Sequence, residues 1–187
     1  MSCTFGVIGK VSVMTHRGKD VSSIRAFLLS EVLEFVSRAR NCPGVTRISL
    51  IGSLTASKPN PKDADVLVTV DDEADLTGLA AVGRRLQGRA QSQNRGADIF
   101  LANPSGRYIG RTCHWRECRF GKRMSCDAQH CGRRHFLHDD LDVIKLDSML
   151  VKNPPIDLWP TVVRRVQVPG DVEDLLLKEL EVRVYVQ

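Results

Sequence analysis

The chain has 187 residues, of which 42% are hydrophobic and 26% charged, so it is long enough for one well-buried core and too short for two independent domains. No apolar run approaches the roughly 20 residues that span a bilayer, and the first residues lack the charged and apolar regions of a signal sequence, so we expect a cytoplasmic protein with no membrane partner. The net charge of +5 is unevenly distributed, because residues 107–138 carry a net +6 and the rest of the chain carries −1.

Periodicity predicts the elements of the first hundred residues. Apolar side chains recur every three or four residues in the helices, and apolar residues alternate with others in the strands. In chain order the predictions are a strand or irregular lead-in (4–14), a helix (22–40), a strand (45–51), a loop interrupted by Pro59 and Pro61 (54–62), a strand (63–70), a helix (76–93) and a strand (97–102). This order is typical of a sheet with helices packed on it.

The second half of the chain has weaker signals. We expect strands at 142–146 and 159–168, a short helix capped by Asp171, and a closing strand that carries Val182, Val184 and Val186. The whole chain, 1–187, is therefore predicted to be a single α/β (α+β) domain. In this domain a mixed β-sheet is flanked by helices, and the basic, Cys- and His-rich residues 107–138 form an insertion.

Two aspartates begin the second predicted strand. Asp63 and Asp65 are separated by one residue, so their side chains project from the same face of the strand. Two carboxylates at this distance repel each other unless both face water or a divalent cation lies between them. Mg²⁺ prefers carboxylate oxygens and phosphates as ligands. Asp98, on the next predicted strand, is the natural third carboxylate of a two-metal site.

A possible phosphate-binding turn precedes these acids. Gly52 follows the first predicted strand directly, and a glycine there lets the backbone approach a ligand closely. The hydroxyl of Ser53 offers one more hydrogen-bond donor. Lys58 and Lys62 lie in the following loop, where they are either phosphate ligands or ordinary surface lysines.

Gly52-Ser53, nine further residues and then Asp63-Ala64-Asp65-Val66 resemble the defining motif of the DNA polymerase beta-like nucleotidyltransferase superfamily. The resemblance covers residues 22–102, and the chain is similar to the minimal bacterial and archaeal members. It does not extend into residues 107–138.

This resemblance implies a fold, an activity and a set of site residues. In the family the glycine and serine contact the triphosphate, the two acids bind Mg²⁺ (or Mn²⁺), and a third acid helps to bind metal and to activate the acceptor hydroxyl. By position these roles fall on Gly52, Ser53, Asp63, Asp65 and Asp98. The implied reaction transfers a nucleoside monophosphate from a nucleoside triphosphate to a hydroxyl of a protein, an RNA or a small molecule.

Four cysteines are concentrated in the basic segment. Cys113, Cys118, Cys126 and Cys131 have the spacing x4, x7 and x4, and four thiolates satisfy the tetrahedral preference of a structural Zn²⁺. The segment has too few apolar residues to fold alone, which favours a cross-link of some kind. His114, His130 and His135 are possible substitute ligands. Buried thiols without metal, or two disulfides, are the alternatives.

The basic segment also suggests a second type of function. A catalytically inactive nucleotidyltransferase scaffold, stabilised by zinc, would use this positive charge to bind nucleic acid. The resemblance offers a further alternative, because minimal members of the superfamily often work beside a helical partner as toxin–antitoxin pairs. The presence of all three acids favours the active enzyme.

Overall fold

The structure, a computed structural model, describes residues 21–114, 117–118, 128 and 134–184. It is a mixed α/β fold in which a seven-stranded sheet is flanked by helices. The strands are β1 (Val45–Ile51), β2 (Asp63–Val70), β3 (Gly96–Ala102), β4 (Tyr108–Thr112), β5 (Leu137–His138), β6 (Ile156–Trp159) and β7 (Val163–Arg164). The helices are α1 (Val21–Ala39), α2 (Thr77–Gln91), α3 (Ser148–Lys152), α4 (Gly170–Val172) and α5 (Lys178–Val184), with a π-helical segment (Glu173–Leu177) between the last two.

The sheet has the strand order β5-β4-β3-β2-β1-β6-β7. Strands β2 and β3 pair in parallel and are connected by α2, whereas every other pair in the sheet is antiparallel. Because β1 is antiparallel to β2, the C-terminal end of β1 lies beside the N-terminal ends of β2 and β3. The ends of these three central strands meet at one place.

The two faces of the sheet are covered differently. On one face, alternate residues of β2 such as Val66 and Val68 are fully buried in the main apolar cluster with α1, α2 and the C-terminal helical segments. On the other face, Leu67 belongs to a smaller cluster with Val151 of α3. Because side chains alternate along a strand, Asp63 and Asp65 lie on the same face as Leu67.

The central elements match the sequence predictions closely. Strands β1 and β2 have the predicted bounds, and α1, α2 and β3 differ from them by one or two residues at an end. The first predicted element, 4–14, lies outside the described residues. Within 107–138 the structure adds β4 and β5, which extend the sheet beyond β3.

Three predicted strands were wrong in whole or in part. Residues 142–146 form a turn and irregular structure, because the N–H groups of Val143 and Ile144 both donate to the carbonyl of Asp140 at 2.9 Å. The run 159–168 contains only the last residue of β6 and the short β7, since Pro160 has no N–H to donate to a sheet.

The third wrong strand is the closing one. Val182 and Val184 belong to α5, because buried Leu176, Leu177 and Leu180 continue the helical spacing through this segment. Val186 lies outside the described residues. Asp171 lies in the first turn of α4 and is not its N-cap, which is Pro169. No helix among the described residues is long and apolar enough to cross a membrane.

Candidate active site

Strand pairing brings the three predicted aspartates to one region of the sheet. Asp65 and Asp98 are direct partners in the parallel register of β2 and β3, so their side chains are neighbours on the same face. Asp63 lies two residues earlier on β2, on the same face, opposite Gly96. The parallel β2–α2–β3 unit is the reason that acids 33 residues apart in sequence become adjacent.

The Gly-Ser turn lies against the same carboxylates. Ile51, the last residue of β1, pairs with Asp65, and a 3₁₀ turn (Gly52–Thr55) follows at once. Gly52 has a φ of 70°, and a Cβ atom at this position would overlap the carboxylate oxygen Oδ2 of Asp65. The hydroxyl of Ser53 donates to the main-chain carbonyl of Asp63 at 3.5 Å. Only glycine at position 52 allows the backbone to approach Asp65 this closely.

A second glycine makes room for Asp63. A Cβ atom on Gly96 would overlap Oδ1 of Asp63, and the Gly96 N–H donates to the carbonyl of Lys62 at 2.9 Å. In the sequence, Gly96 is the last residue of Asn94-Arg95-Gly96, the run that ends the second predicted helix. In the structure it also allows the carboxylate of Asp63 to lie over the start of β3.

Crowding of negative charge is the main electrostatic property of this site. Burial, as the largest cause, and the negative charges of Asp98 and Asp63 together raise the pKa of Asp65 to about 7. The hydrogen bond from His114 holds the pKa of Asp98 below its usual value, although burial opposes this. Of the three aspartates, Asp98 is the one whose carboxylate is hydrogen-bonded to a histidine within the described part of the chain.

His114 is a site residue that sequence reasoning did not assign to the carboxylates. Its Nε2 lies 3.1 Å from Oδ1 of Asp98, and each side chain is about one third exposed. The main-chain N–H of His114 donates to Glu117 at 2.9 Å, and Glu117 is held in turn by the guanidinium of Arg111. Arg111 also donates to the buried Asp140 at 3.1 Å. An ion-pair network on β4 therefore fixes the histidine beside Asp98.

Arg25 is a second residue that the sequence analysis missed. It lies on α1 and is only 6% exposed, and its guanidinium donates to the main-chain carbonyls of Leu54, Ala56 and Lys58 at 2.8–3.2 Å. It also pairs with Asp171 at 2.5 Å. Arg25 thus links α1 and α4 to the loop between the Gly-Ser turn and the acids.

A signal for Arg25 was present in the sequence. The residue stands three, four and seven positions before Leu28, Leu29 and Val32, all of which are fully buried. A charged residue on the apolar stripe of a helix needs a buried partner, and here the partners are loop carbonyls and Asp171.

The donor set fits a hard divalent cation, with one restriction. Mg²⁺ is bound in proteins by one or two carboxylates, with substrate phosphates and water as its other ligands, and Asp63 and Asp65 supply such a pair. Among the described residues no group of three or more His, Cys, Asp or Glu side chains is arranged to hold a metal ion. The hydrogen bond from His114 turns one oxygen of Asp98 toward β4, which is consistent with this finding.

The zinc prediction falls largely on residues that the structure does not describe. Cys113 is buried and Cys118 is half-buried, whereas Cys126, Cys131 and His130 lie outside the described residues. Of the possible substitute ligands, His114 contacts Asp98 and His135 is exposed on a turn. The four-cysteine site stays a prediction.

Lys58 and Lys62 are both exposed, and only their main-chain carbonyls take part in the hydrogen bonds described above. The site is therefore defined by carboxylates, two glycines and a serine, with Arg25 and His114 as supporting residues.

Comparison with known proteins returns no relative of this chain. No family model matches it, and neither the curated proteins nor the solved structures include a significant match. Any functional conclusion rests on the residues of the site themselves.

Proposed function

We propose that this chain is a nucleotidyltransferase of the DNA polymerase beta-like type, which transfers a nucleoside monophosphate from a nucleoside triphosphate to a hydroxyl of a protein, an RNA or a small molecule. One observation carries the proposal: Asp63, Asp65 and Asp98 share one face of β2 and β3 beside a tight turn at Gly52 and Ser53. The sequence indicates these residues through their spacing and through the family resemblance, whereas their proximity depends on strand pairing, which the spacing does not contain.

The electrostatics of the site support a role in binding Mg²⁺. Burial and two neighbouring carboxylates raise the pKa of Asp65 to about 7. A cation beside this carboxylate would stabilise its ionised form. Asp63 and Asp65 are the residues that would hold such a cation. Bound Mg²⁺ supplies positive charge that neutralises the triphosphate and the leaving pyrophosphate.

The protein groups of the site bind the triphosphate and transfer a proton in the proposed reaction. The N–H groups of the turn at Gly52 and the hydroxyl of Ser53 bind triphosphate oxygens and hold the α-phosphate in line with the acceptor. Asp98 accepts the proton of the acceptor hydroxyl as its oxygen forms the bond to phosphorus. The bond between the α-phosphorus and the bridging oxygen breaks, and pyrophosphate leaves with that electron pair.

An activity assay tests the proposal. The purified chain is incubated with Mg²⁺, with each of the four α-³²P-labelled nucleoside triphosphates, and with candidate protein, RNA and small-molecule acceptors. We expect label transfer with stoichiometric pyrophosphate release, and loss of both with EDTA. Asp63→Asn and Asp65→Asn should each lower the rate by at least about 100-fold, in the range found when one preorganised electrostatic group is removed from an active site.

Asp72→Asn is the matched control, because Asp72 is an exposed acid beyond the opposite end of β2. It should retain wild-type turnover. Circular dichroism and thermal unfolding establish that each variant is folded. If folded Asp65→Asn turns over as fast as the wild type, or if no nucleotide is consumed with any acceptor, the proposed enzyme function is wrong.

A specific observation favours a second candidate, an inactive scaffold of the same type that binds nucleic acid or a protein partner. Asp98 is hydrogen-bonded to His114, and no three described acids or histidines form a ready metal site. Residues 107–138, with their net charge of +6, would then bind RNA or DNA. Binding that weakens steeply with salt and is unaffected by Asp65→Asn, without nucleotide turnover, would support this candidate.

A further inference from the structure

A cavity of about 480 Å³ lies beside the turn between β3 and β4, on the sheet face that also carries the aspartates. Its walls come from this turn (105–108), from the irregular segment 141–146 and from α3. Pockets that bind small molecules have volumes of about 300–1,000 Å³. The cavity is therefore large enough for a small organic ligand.

The charged side chains that line the cavity are all positive. They are Arg107 from the turn, Lys145 from the irregular segment and Lys152 from α3, and the lining contains no carboxylate. Within the described part of the chain none of the three side chains has an ion-pair partner. Three unneutralised cations around one cavity favour a ligand that carries more than one negative charge.

Hydrogen bonds hold the two sides of the cavity in place before any ligand binds. On the turn, Oδ1 of Asn103 accepts from the Ser105 hydroxyl at 2.7 Å and from the Arg107 N–H at 2.9 Å. On the other side, Asp147 caps α3 by accepting from the Met149 N–H at 2.6 Å. Preformed geometry lowers the entropic cost of ligand binding.

Close packing joins these two sides. Gly106 has a φ of 77°, and a Cβ atom on it would lie 2.8 Å from Cγ of Lys152. The lysine stem therefore lies directly over the turn, and the positions of Lys152 and Arg107 depend on each other.

The rest of the lining is apolar. Leu141, Ile144 and Leu146 line the cavity and pack against the smaller apolar cluster, to which Tyr108 also belongs. A free inorganic anion would leave these side chains in contact with water, whereas an apolar ring or chain would cover them. The lining thus matches a molecule with an anionic end and an apolar end.

We propose that this cavity binds a phosphate monoester with an apolar ring or chain, its phosphate held by Arg107, Lys145 and Lys152. The cavity lies toward the end of β3 that is farther from Asp98, because Tyr108 in its wall pairs with Ala102, which is four residues, or about 13 Å at about 3.3 Å per residue, from Asp98. The inference goes beyond the proposed transferase function and does not depend on it.

Titration of the ¹⁵N-labelled full chain with phenyl phosphate tests the site. We expect saturable shifts of the Gly106, Arg107 and Ser148 amides, and binding weakened at least about tenfold in Arg107→Gln and in Lys152→Gln, since each loses a charge-assisted hydrogen bond. Arg85→Gln is the matched control, because Arg85 is an exposed arginine of α2 on the opposite side of the sheet, and its affinity should equal that of the wild type. Asp65→Asn should also bind normally, so this result is independent of any loss of transferase activity.

Inorganic phosphate and phenol are the companion probes. Each should bind more weakly than phenyl phosphate, because each satisfies only one half of the lining. The proposal is overturned by an absence of saturable shifts at millimolar phenyl phosphate, by equal affinity for inorganic phosphate, or by unchanged affinity in both folded cationic-site variants. Shifts centred on Gly52 and Ser53 would also overturn it, since the probe would then occupy the proposed nucleotide site.

Discussion

Gly52 combines two constraints at a single residue. Its φ of 70° is unfavourable for any residue with a side chain, and its missing Cβ leaves room for the carboxylate of Asp65. Gly52→Ala should therefore lower the free energy of unfolding by at least about 1–2 kcal/mol, the cost of the left-handed conformation alone. It should also reduce nucleotide turnover, because the turn and Asp65 can no longer approach each other.

Urea unfolding measures this effect, and Gly88→Ala supplies the control. Gly88 lies in α2, where a Cβ atom would meet nothing within 4 Å, so alanine there should stabilise the protein by about 0.5–1 kcal/mol. If Gly52→Ala is as stable as the wild type, the tight contact between the turn and Asp65 does not exist in solution.

Replacement of Asp65 should raise stability and lower nucleotide turnover, whereas replacement of Gly52 should lower both. Its carboxylate is largely buried beside those of Asp98 and Asp63, and their negative charges repel it. We expect Asp65→Asn to unfold at a higher temperature than the wild type in EDTA, because the amide removes this repulsion at nearly constant volume.

Addition of Mg²⁺ in the same thermal unfolding experiment separates the two roles of Asp65. The wild type should gain about 1.4 kcal/mol of stability when Mg²⁺ is at ten times its dissociation constant. Asp65→Asn should gain much less. Equal stabilisation of both proteins by Mg²⁺ would mean that the cation binds elsewhere.

At the scale of secondary structure, the success of sequence prediction followed the strength of local patterns. In β2 the apolar residues Ala64, Val66, Val68 and Val70 recur at every second position, and the strand has the predicted bounds. The run 142–146 also contains apolar residues typical of strands, Val143, Ile144 and Leu146, but the carbonyl of Asp140 accepts hydrogen bonds from two N–H groups and forms a turn. Periodicity alone does not reveal such a competing hydrogen bond.

The candidate site was predictable only in part, because some of its contacts join residues that are distant in sequence. Asp63 and Asp65 were recognisable because their spacing on one strand is local information. The contact of His114 with Asp98 depends on the pairing of β4 with β3. Arg25 and its partner Asp171 are 146 positions apart, so no local pattern joins them. The apolar stripe of α1 marks Arg25 as unusual, but the partners of this arginine are seen only when the elements are assembled.

Arg25 links α1 and α4 to the loop that follows the Gly-Ser turn, so its replacement should loosen this loop. Arg25→Gln removes the ion pair with Asp171 and most of the hydrogen bonds to the carbonyls of Leu54, Ala56 and Lys58. We expect an unfolding free energy lower by about 1–3 kcal/mol, because the buried carbonyl of Leu54 and the part-buried carbonyls of Ala56 and Lys58 lose their donor. Amide hydrogen exchange in residues 54–58 should be faster.

Two other variants sharpen this test. Arg25→Lys keeps the charge but cannot donate to all of these carbonyls at once, so it should restore stability only in part. Arg38→Gln, at the exposed pair with Glu34 on the same helix, should change stability by less than about 0.5 kcal/mol. Unchanged exchange in the loop of Arg25→Gln would show that the arginine does not position it.

At the scale of the whole molecule, the two faces of the sheet carry different groups. One face is sealed by the main apolar cluster with α1 and α2, whereas the other carries the aspartates and the cationic cavity. Strands β6 and β7 complete the sheet beyond β1 and contribute no residue to either site. Their attachment to β1 is electrostatic as well as hydrogen-bonded, and this makes the stability of the sheet depend on pH.

Asp157 of β6 is the centre of that attachment. It is buried and accepts hydrogen bonds from Arg47 and Ser49 of β1 and from Arg165 beyond β7 at 2.7–3.0 Å. Burial alone would raise the pKa of Asp157, but these hydrogen bonds outweigh it and hold the pKa below its usual value. A depressed pKa in the folded state means that the ionised carboxylate stabilises the fold above the unfolded value of about 3.9, and that this contribution is lost as the pH falls below it.

Asp157→Asn should therefore cost about 1–3 kcal/mol at pH 7, the range for hydrogen bonds to a charged group, and progressively less as the pH falls below about 4. Urea unfolding of the wild type and the variant at a series of pH values measures this difference. Asp72→Asn changes an exposed acid outside the network and should follow the wild type throughout. A difference between Asp157→Asn and the wild type that stays constant with pH would mean that the variant loses packing alone, and that the ionised Asp157 does not hold β6 against β1.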